Sequence, residues 1–329
     1  MSLKKRSLKN AEAYISGIQT GDRVLLGQAL TLVESKKKEH RDLANQILSG
    51  LSKDNNKSLR VGISGSPGVG KSTFIEAFGN YIIGQGKTLA VLAVDPSSSI
   101  TKGSILGDKT RMQSLSIHPS AFIRPSPAAE TLGGVTNTTH ESILLCEAAG
   151  YDIILVETVG VGQSETMVHG LVDFFMLLLL PGAGDDLQGI KRGIVELADM
   201  IVVNKVDGDR IIMAKEIKRS YQNAIHLFGA KANLWETKVF LASALQNEGL
   251  ENIWKELIAF DSELSNNGYK SINRIQQRKS IFEAMLKNRI WEKVLDSGNN
   301  LNNIKALQNA IQNNEISIYE AINKFTSGK

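Results

Sequence analysis

The stretch Gly65-Ser66-Pro67-Gly68-Val69-Gly70-Lys71-Ser72, followed by Thr73, decides the fold of this chain. It matches the phosphate-binding pattern G-x-x-x-x-G-K-[ST] at every fixed position. The apolar segment 59–63 before it predicts a strand, and apolar residues at helical spacing after it predict a helix. A glycine-rich turn between a strand and a helix presents backbone N–H groups and the positive end of the helix dipole to an anion. The stretch therefore predicts a nucleoside triphosphate site rather than a turn that binds nothing.

Two side chains of this loop are expected to act directly on the nucleotide. Lys71 is expected to reach the β- and γ-phosphates, and the Ser72 hydroxyl is expected to ligate Mg²⁺. The remaining residues of 65–73 are expected to line the site through their backbone.

The rest of the chain predicts an α/β fold, a P-loop NTPase with a mostly parallel sheet covered by helices on both faces. Beyond 59–63, strands are predicted at 88–94, 121–124, 151–156, 173–180, 199–203 and 239–241, and a helix at about 137–149. Three parts are predicted: an N-terminal helical extension at 1–55, a nucleotide-binding domain at 56–265 and a C-terminal helical arm at 266–329.

Composition excludes several other classes of protein. The 329 residues are 42% hydrophobic and 22% charged, which is ordinary for a globular protein. The longest apolar run, 174–180, is much shorter than the roughly 20 residues of a membrane span and predicts a buried strand. The single cysteine, Cys146, excludes an internal disulfide and is predicted to be a buried helix residue. No apolar signal core follows the basic N-terminus, so we expect a cytoplasmic protein without a membrane partner.

The helical extensions leave two alternatives open. An apolar stripe through 272–294 fits a helix that caps its own chain or a helix that contacts a second copy. The lysines at 36–38 fit a solvated helix end better than a nucleic-acid site, because no aromatic residues are interleaved with them. Near the N-terminus, Asp22 is expected to cap a helix that begins after it.

A second motif, Asn204-Lys205-Val206-Asp207, follows the predicted strand 199–203 and predicts guanine binding. Asp207 can accept hydrogen bonds from the guanine N1–H and 2-amino group, two donors that adenine lacks. Asn204 is expected to hold the loop and contact the base, with the Lys205 stem along the face of the base. The accessory loop Ser243-Ala244-Leu245 is expected to present a backbone amide to the guanine carbonyl.

The third motif, 157–160, follows the predicted strand 151–156 and is expected to meet the γ-phosphate and the metal. Glu157 stands where a phosphate-loop protein places an acidic metal partner, and the Gly160 N–H is expected to contact the γ-phosphate. Small GTPases carry a water-orienting glutamine directly after this glycine, whereas this chain has Val161. We therefore expect slow intrinsic hydrolysis, with Gln163 as a candidate catalytic residue or else a surface polar residue.

Two further acids, Asp95 and Asp108, lie after the second predicted strand. Both are expected to help hold Mg²⁺, which prefers carboxylates, phosphates and retained waters. The alternative for each is a helix cap or a turn aspartate.

Together the segments 65–73, 94–98, 107–112 and 157–165 resemble the methylmalonyl-CoA mutase-associated GTPases. The resemblance extends over nearly the whole chain, including the helical extensions at both ends. These are metallochaperone-class G proteins related to the human methylmalonic aciduria type A protein and to proteins once labelled arginine/ornithine transport kinases. The resemblance implies hydrolysis of GTP to GDP, coupled to loading and protecting adenosylcobalamin in an acyl-CoA mutase. It also implies homodimers formed through C-terminal helices.

The mobile third switch of that family maps onto 182–191 by resemblance. The residues themselves make a glycine-rich loop after a buried strand, with two acids and Lys191. Lys191 is expected to supply charge to the transition state when a partner orders the loop, an effect worth roughly 10³–10⁵ in rate for arginine fingers. The alternative is an ordinary connecting loop.

Three other functions are weighed. The residues alone leave open a kinase or transport-associated ATPase, and the resemblance leaves open a chaperone of a different cobalamin-dependent mutase. A nickel metallochaperone is disfavoured, because five histidines and one cysteine form no cluster with metal-ligand spacing.

Overall fold

The computed structural model describes residues 8–51, 57–94, 112–126, 132–158, 163–182, 192–227 and 231–327. Each predicted strand is present, and its limits agree with the prediction within two residues. The strands are β1 Leu59–Gly65, β2 Leu89–Val94, β3 Ala121–Ser126, β4 Ile153–Thr158, β5 Phe174–Leu179, β6 Met200–Val203 and β7 Lys238–Leu241.

Helices precede, connect and follow these strands. They are α1 Ala11–Gln19, α2 Arg23–Val33, α3 Lys38–Leu51, α4 Lys71–Gly84, α5 Gln113–Ile117, α6 Leu132–Ala148, α7 Gln163–His169, α8 Arg192–Leu197, α9 Ile211–Ile225, α10 Leu250–Asn266, α11 Tyr269–Asp296, α12 Asn300–Gln312 and α13 Ile318–Ser327. Helix α6 begins five residues before its predicted start, because its glycines lie in the first turn, where N–H groups need no intrahelical partner. Cys146 is fully buried in α6, as predicted, and burial raises the pKa of its thiol.

The sheet is parallel throughout and positions the carboxyl end of β1 at its centre. Its order is β3-β2-β4-β1-β5-β6-β7, so β1 lies between β4 and β5. The chain leaves β1 for β2 on one side and later reaches β5 on the other. Ligands of open parallel sheets bind at such a switch point, outside the carboxyl ends of the strands. The loop at 65–70 leaves the sheet there.

Apolar side chains cover both faces of the central strands. Every residue of β5 is buried, which confirms the interpretation of its apolar run as a buried strand. On one face, β1 and β5 pack against α4 and α10, and the rings of Phe174 and Phe260 meet edge to face at 4.7 Å. On the other face, α6 and α7 lie against β4, and α7 also contacts β1. This close packing fixes the strand ends that carry the polar loops.

The N-terminal helices α1–α3 pack on one another and on α6. Asp22 caps α2 by accepting hydrogen bonds from the Val24 and Leu25 amides at 2.8 and 3.1 Å, as predicted. Arg41 of α3 makes a two-pronged ion pair with the buried carboxylate of Glu141 on α6, at 2.8 and 2.7 Å. Such planar pairs orient both partners, so they fix how α3 lies on α6.

Four buried charged side chains join the amino ends of β1 and β5 to α6 and α11. Arg60 pairs with Glu147 through two contacts of 2.8 Å. Arg274 pairs with Asp173 at 2.7 and 2.6 Å and approaches Glu147 at 3.3 Å. Arg274 also donates to the Ser58 carbonyl at 2.7 Å. Burial by itself would raise the pKa of Asp173, but the hydrogen bond and charge of Arg274, with Arg60 and Lys270, hold it below its ordinary value.

The chain divides into two compact units, residues 1–277 and 278–329. In the second unit, α12 and α13 pack on each other, and Ala321 is buried. In the part of the chain that the structure describes, no helix is both long enough and apolar enough to cross a membrane. The predicted boundaries of the nucleotide-binding domain, at 55/56 and 265/266, stay predictions.

Removal of Arg274 is expected to destabilise the protein strongly. In Arg274→Ala, Asp173 and Glu147 lose a buried cationic partner, so the free energy of unfolding should fall by about 3–5 kcal/mol at neutral pH. Urea unfolding followed by circular dichroism measures this change. Lys255→Ala breaks an exposed pair with Glu251 and should leave stability nearly unchanged.

The effect of Arg274→Ala is also expected to depend on pH. The pKa of Asp173 is lower in the folded protein than in the unfolded chain. The stabilisation that its ionised carboxylate contributes is therefore complete at pH values above the pKa of the unfolded chain. This stabilisation is lost as the pH falls through the pKa of Asp173 in the folded protein. The difference between wild type and variant should therefore narrow in acid, and a difference independent of pH would contradict this account.

Candidate nucleotide-binding site

The loop between β1 and α4 wraps around the ammonium group of Lys71. Lys71 Nζ donates to the carbonyl oxygen of Gly65 at 2.6 Å and lies 3.3 Å from that of Ser66. The first intrahelical bond of α4 runs from the Phe74 amide to the Gly70 carbonyl at 2.8 Å. The amides at the start of α4 therefore have no intrahelical acceptor, which is the arrangement that binds anions.

Two buried carboxylates act on Lys71. Burial lowers its pKa, while the charges of Glu157 and Glu165 oppose that effect. Glu157 is 4% exposed and Glu165 is 0% exposed, so both charges act in a medium of low polarity. Sequence reasoning missed Glu165, although its place in the 157–165 segment was a signal.

The end of β4 brings Glu157 next to the phosphate loop. Glu157 aligns with Ile63 of β1 and Ala93 of β2. The next residue, Thr158, donates its hydroxyl to Ser64 Oγ at 2.9 Å, and both side chains are fully buried. This contact joins the end of β4 to the end of β1, just before the phosphate loop begins.

The oxygen ligands present at this edge fit Mg²⁺. Ser72 is half-buried in the first turn of α4, and Glu157 supplies a buried carboxylate. Among the described residues, no group of three or more His, Cys, Asp or Glu side chains could hold a metal. Ser72 and Glu157 are the described oxygen ligands at this edge, and Mg²⁺ commonly takes further ligands from carboxylates, phosphate oxygens and water.

The structure does not describe several of the predicted site residues. Asp95, Asp108, Gly160 and Lys191 lie outside the described residues. Gln163 begins α7, and its side chain lies outside the description.

Asn204, directly after β6, contacts two loops and the end of β5. Its amide nitrogen donates to the Val69 carbonyl at 3.0 Å, and its amide oxygen accepts from the Ala244 amide at 3.3 Å. Its own backbone amide donates to the Leu179 carbonyl at 2.9 Å. The side chain is 1% exposed. Asn204 therefore fixes the spacing between the phosphate loop and the two loops predicted to bind guanine.

Lys205 adds a second contact with the phosphate loop. It adopts φ +61°, and its Nζ donates to the Gly68 carbonyl at 2.7 Å. Gly70, at φ +89°, faces both residues: a Cβ there would lie 3.1 Å from Asn204 Nδ2 and 3.2 Å from Lys205 Cε. The backbone angle favours glycine at position 70, and any larger residue would also have to displace Asn204 or Lys205 by a few tenths of an ångström.

Asp207 is held in place by the accessory loop. Its Oδ2 accepts a hydrogen bond from the Ser243 hydroxyl at 3.1 Å, and Ser243 Oγ accepts from the Gln246 amide at 3.2 Å. Ser243 is buried, Asp207 is half-buried and Leu245 is 78% exposed. The sequence predicted a backbone role for this loop, and the structure adds that the Ser243 side chain orients Asp207.

Comparisons with known proteins agree on one family. Residues 26–299 match the family model described as methylmalonyl Co-A mutase-associated GTPase MeaB. The GTPase ArgK of Escherichia coli strain K12 is 46% identical over 282 residues, covering 86% of this chain and 84% of that protein. The mitochondrial methylmalonic aciduria type A homolog of Mus musculus is 46% identical over 304 residues, covering 89% and 72%.

A solved structure extends the likeness to the fold. The crystal structure of a LAO/AO transport system kinase is 35% identical, with a TM-score of 0.77, and the match covers 98% of this chain and 99% of that one. The predicted α/β fold is confirmed.

Asp207→Asn is expected to change base preference. Two hydrogen bonds to a charged acceptor contribute about 1.5–3 kcal/mol each, so GTP affinity should fall by roughly 10²–10⁴. The new amide can donate to the 2-carbonyl of xanthine, so affinity for xanthosine triphosphate should rise. Titrations with GTP, ATP and xanthosine triphosphate measure both changes.

Asp209→Asn is the matched control, because Asp209 is an exposed acid two residues later and loses the same charge. It should leave all three affinities nearly unchanged. If Asp207→Asn weakened GTP and xanthosine triphosphate equally, Asp207 would hold the loop without selecting the base.

Proposed function

Because the chain belongs to the MeaB family of methylmalonyl-CoA mutase-associated GTPases, we propose that it is a chaperone of an adenosylcobalamin-dependent acyl-CoA mutase. The chain is a GTP hydrolase. The proposed partner is methylmalonyl-CoA mutase, and GTP binding and hydrolysis are coupled to loading and protecting its cofactor. The family match over most of the chain is the observation that carries this proposal.

The contacts around Asn204 support guanine as the base. The same side chain touches Val69 of the phosphate loop and Ala244 of the accessory loop, so base and phosphates are bound by parts held at a fixed distance. Asp207, oriented by Ser243, selects guanine in this proposal. A preorganised site of this kind loses little conformational entropy when the nucleotide binds.

Hydrolysis is proposed to depend on the electrostatics of the loop. Lys71 holds the β- and γ-phosphates; burial lowers its pKa, and the charges of Glu157 and Glu165 oppose that effect. Ser72 and Glu157, with Asp95 and Asp108, are the proposed Mg²⁺ ligands. The bound ion would neutralise charge on the phosphate oxygens. Lys191 and Gln163 are the proposed contributors to the transition state.

The nucleotide state is proposed to reach the mutase through the segments that follow β4 and β5. Both strands flank β1, which carries the phosphate loop, and Glu157 at the end of β4 acts on Lys71. A change in charge at the γ-phosphate would therefore act most strongly on the ends of β4 and β5.

A homodimer is also proposed, formed through the C-terminal helices. In α11, Phe282, Leu286 and Ile290 recur every four residues, and with Trp291 each is at least 45% exposed. Residues spaced by four share one face of a helix, so these side chains form one apolar stripe. A second copy of the chain supplies an equivalent stripe.

Phosphate release from GTP and ATP, each with and without purified methylmalonyl-CoA mutase, tests the chaperone proposal. We expect turnover of GTP only, faster with the mutase, and loss of turnover in Lys71→Ala. The control Lys255→Ala, an exposed lysine of α10, should behave as wild type.

The outcomes separate the alternatives. GTP turnover that ignores this mutase would direct the search to other cobalamin-dependent mutases. A preference for ATP, with phosphate left on protein, would favour the kinase alternative. Normal turnover in Lys71→Ala would contradict the site itself.

The dimer is tested by the molar mass in sedimentation equilibrium. The variant Phe282→Glu with Ile290→Glu should sediment as a monomer, because four carboxylates would be buried without partners in the dimer. Lys287→Glu, an exposed position in the same helix, should stay dimeric. A monomeric wild type would contradict the proposal.

A further inference from the structure

Two buried hydroxyl groups meet where the central strands β1 and β4 end. The backbone pairing of β1 with β4 runs up to Ile63, which lies opposite Glu157. At the next position of each strand, Thr158 Oγ1 donates to Ser64 Oγ at 2.9 Å, and both residues are 0% exposed. A side-chain hydrogen bond therefore joins the two strands at the residue that precedes the phosphate loop.

The hydroxyl pair lies on the face of the sheet that α7 covers. Val61 and Ile63 of β1 pack in the apolar cluster with α4 and α10. Because side chains alternate across a strand, Gly62 and Ser64 lie on the opposite face. A Cβ at Gly62 would be 3.0 Å from Val168 Cγ1 of α7, which shows how closely the helix covers this face. A hydroxyl buried in such surroundings is costly unless it is hydrogen-bonded.

Each hydroxyl belongs to a residue next to a group that acts on Lys71. Ser64 directly precedes Gly65, whose carbonyl oxygen accepts from Lys71 Nζ at 2.6 Å. Thr158 directly follows Glu157. Burial lowers the pKa of Lys71, and the charge of Glu157 is the larger of the two that oppose this effect. The hydroxyl pair therefore joins the backbone that holds the ammonium group to the backbone that carries this carboxylate.

The other side of β1 is fixed without side-chain hydroxyls. Backbone pairing of β1 with β5 continues to Gly65, which lies opposite Leu178. The approach is close, since a Cβ at position 65 would be 2.5 Å from the Leu178 carbonyl oxygen. Backbone contacts thus hold the end of β1 against β5, and the contact of Ser64 with Thr158 holds it against β4.

We infer that Ser64 and Thr158 are positioning residues for GTP hydrolysis. Their hydrogen bond fixes the Gly65 carbonyl, and with it the Lys71 ammonium, relative to Glu157. This inference rests on the proposed role of Lys71 in holding the β- and γ-phosphates. A purely structural hydroxyl pair would contribute stability alone, so the two roles differ in whether the rate of hydrolysis follows the hydroxyls or the stability.

The test measures the single-turnover rate of GTP hydrolysis at saturating GTP, the affinity for GTP and the melting temperature of the full chain. Thr158→Val keeps the shape of the side chain and removes the hydroxyl. A misplacement of 1 Å can cost about 10²-fold in rate, so the rate should fall by roughly 10-fold to 100-fold. The affinity should change less, because the loop amides that bind the phosphates remain. Thr158→Ser keeps the hydroxyl and should retain most of the rate.

The double variant separates positioning from stability. Ser64→Ala or Thr158→Val alone leaves one buried hydroxyl without this partner and should lower the melting temperature. Removing both hydroxyls together can recover stability, because no polar group of the pair is left unsatisfied. Positioning predicts that the double variant stays as slow as the slower single variant although its melting temperature recovers. A rate that recovers together with the melting temperature would overturn the inference.

Ser58→Ala is the matched control at the opposite end of the same two strands. Ser58 directly precedes β1, is 2% exposed and donates its hydroxyl to the Tyr151 carbonyl, shortly before β4, at 2.7 Å. Its removal should lower the melting temperature and leave the rate unchanged. An equal loss of rate in Ser58→Ala and Thr158→Val would contradict the inference, since general destabilisation would then explain both.

The outcomes also separate this inference from the proposed function. Normal turnover in Lys71→Ala would contradict the site on which the inference rests. Turnover that ignores the mutase would refute only the chaperone, and the comparison of Thr158 with Ser58 would stay valid. If Thr158→Val does not fold, Ser64→Ala and the double variant decide: a normal rate in both contradicts the inference.

Discussion

The side-chain amide of Asn204 is the interaction on which the rest of the site depends. It is buried at the end of β6 and uses both of its ends, donating to the phosphate loop at Val69 and accepting from the accessory loop at Ala244. Neither loop belongs to a regular element, so strand pairing alone would not set the distance between them. A buried amide with both ends satisfied specifies one arrangement, because any other leaves polar groups without partners.

Strand β1 has charged contacts at one end and the phosphate loop at the other. Arg60, near its start, belongs to the buried cluster with Glu147, Asp173 and Arg274, and Gly65 at its end receives the ammonium of Lys71. The same cluster holds Asp173 directly before β5. Buried ion pairs are weak sources of stability but strong constraints on geometry. Here they fix the starting register of the two central strands whose ends lie at the nucleotide site.

Helix α4 makes three kinds of contact. Its first turn carries Lys71 and Ser72, which are proposed to bind the phosphates and Mg²⁺. Its apolar face packs on the sheet, and its Glu76 carboxylate accepts a hydrogen bond from the Ser114 amide of α5. These contacts join the helix that follows the phosphate loop to the core and to α5. Burial lowers the pKa of Lys71, and the charges of Glu157 and Glu165 act in the opposite direction.

The sequence by itself determined the strands, the parallel α/β fold, the phosphate loop and the guanine motif, because these depend on local spacing: apolar runs of strand length, glycines at fixed offsets and short polar motifs at strand ends. It also predicted the Asp22 cap, which is a contact within three residues. Only the tertiary structure decided which distant groups meet. The contacts of Ser243 with Asp207, Glu76 with Ser114 and Arg274 with Asp173 join residues 36, 38 and 101 positions apart. No local pattern encodes such pairs, since they arise from the crossing of elements after the chain has packed.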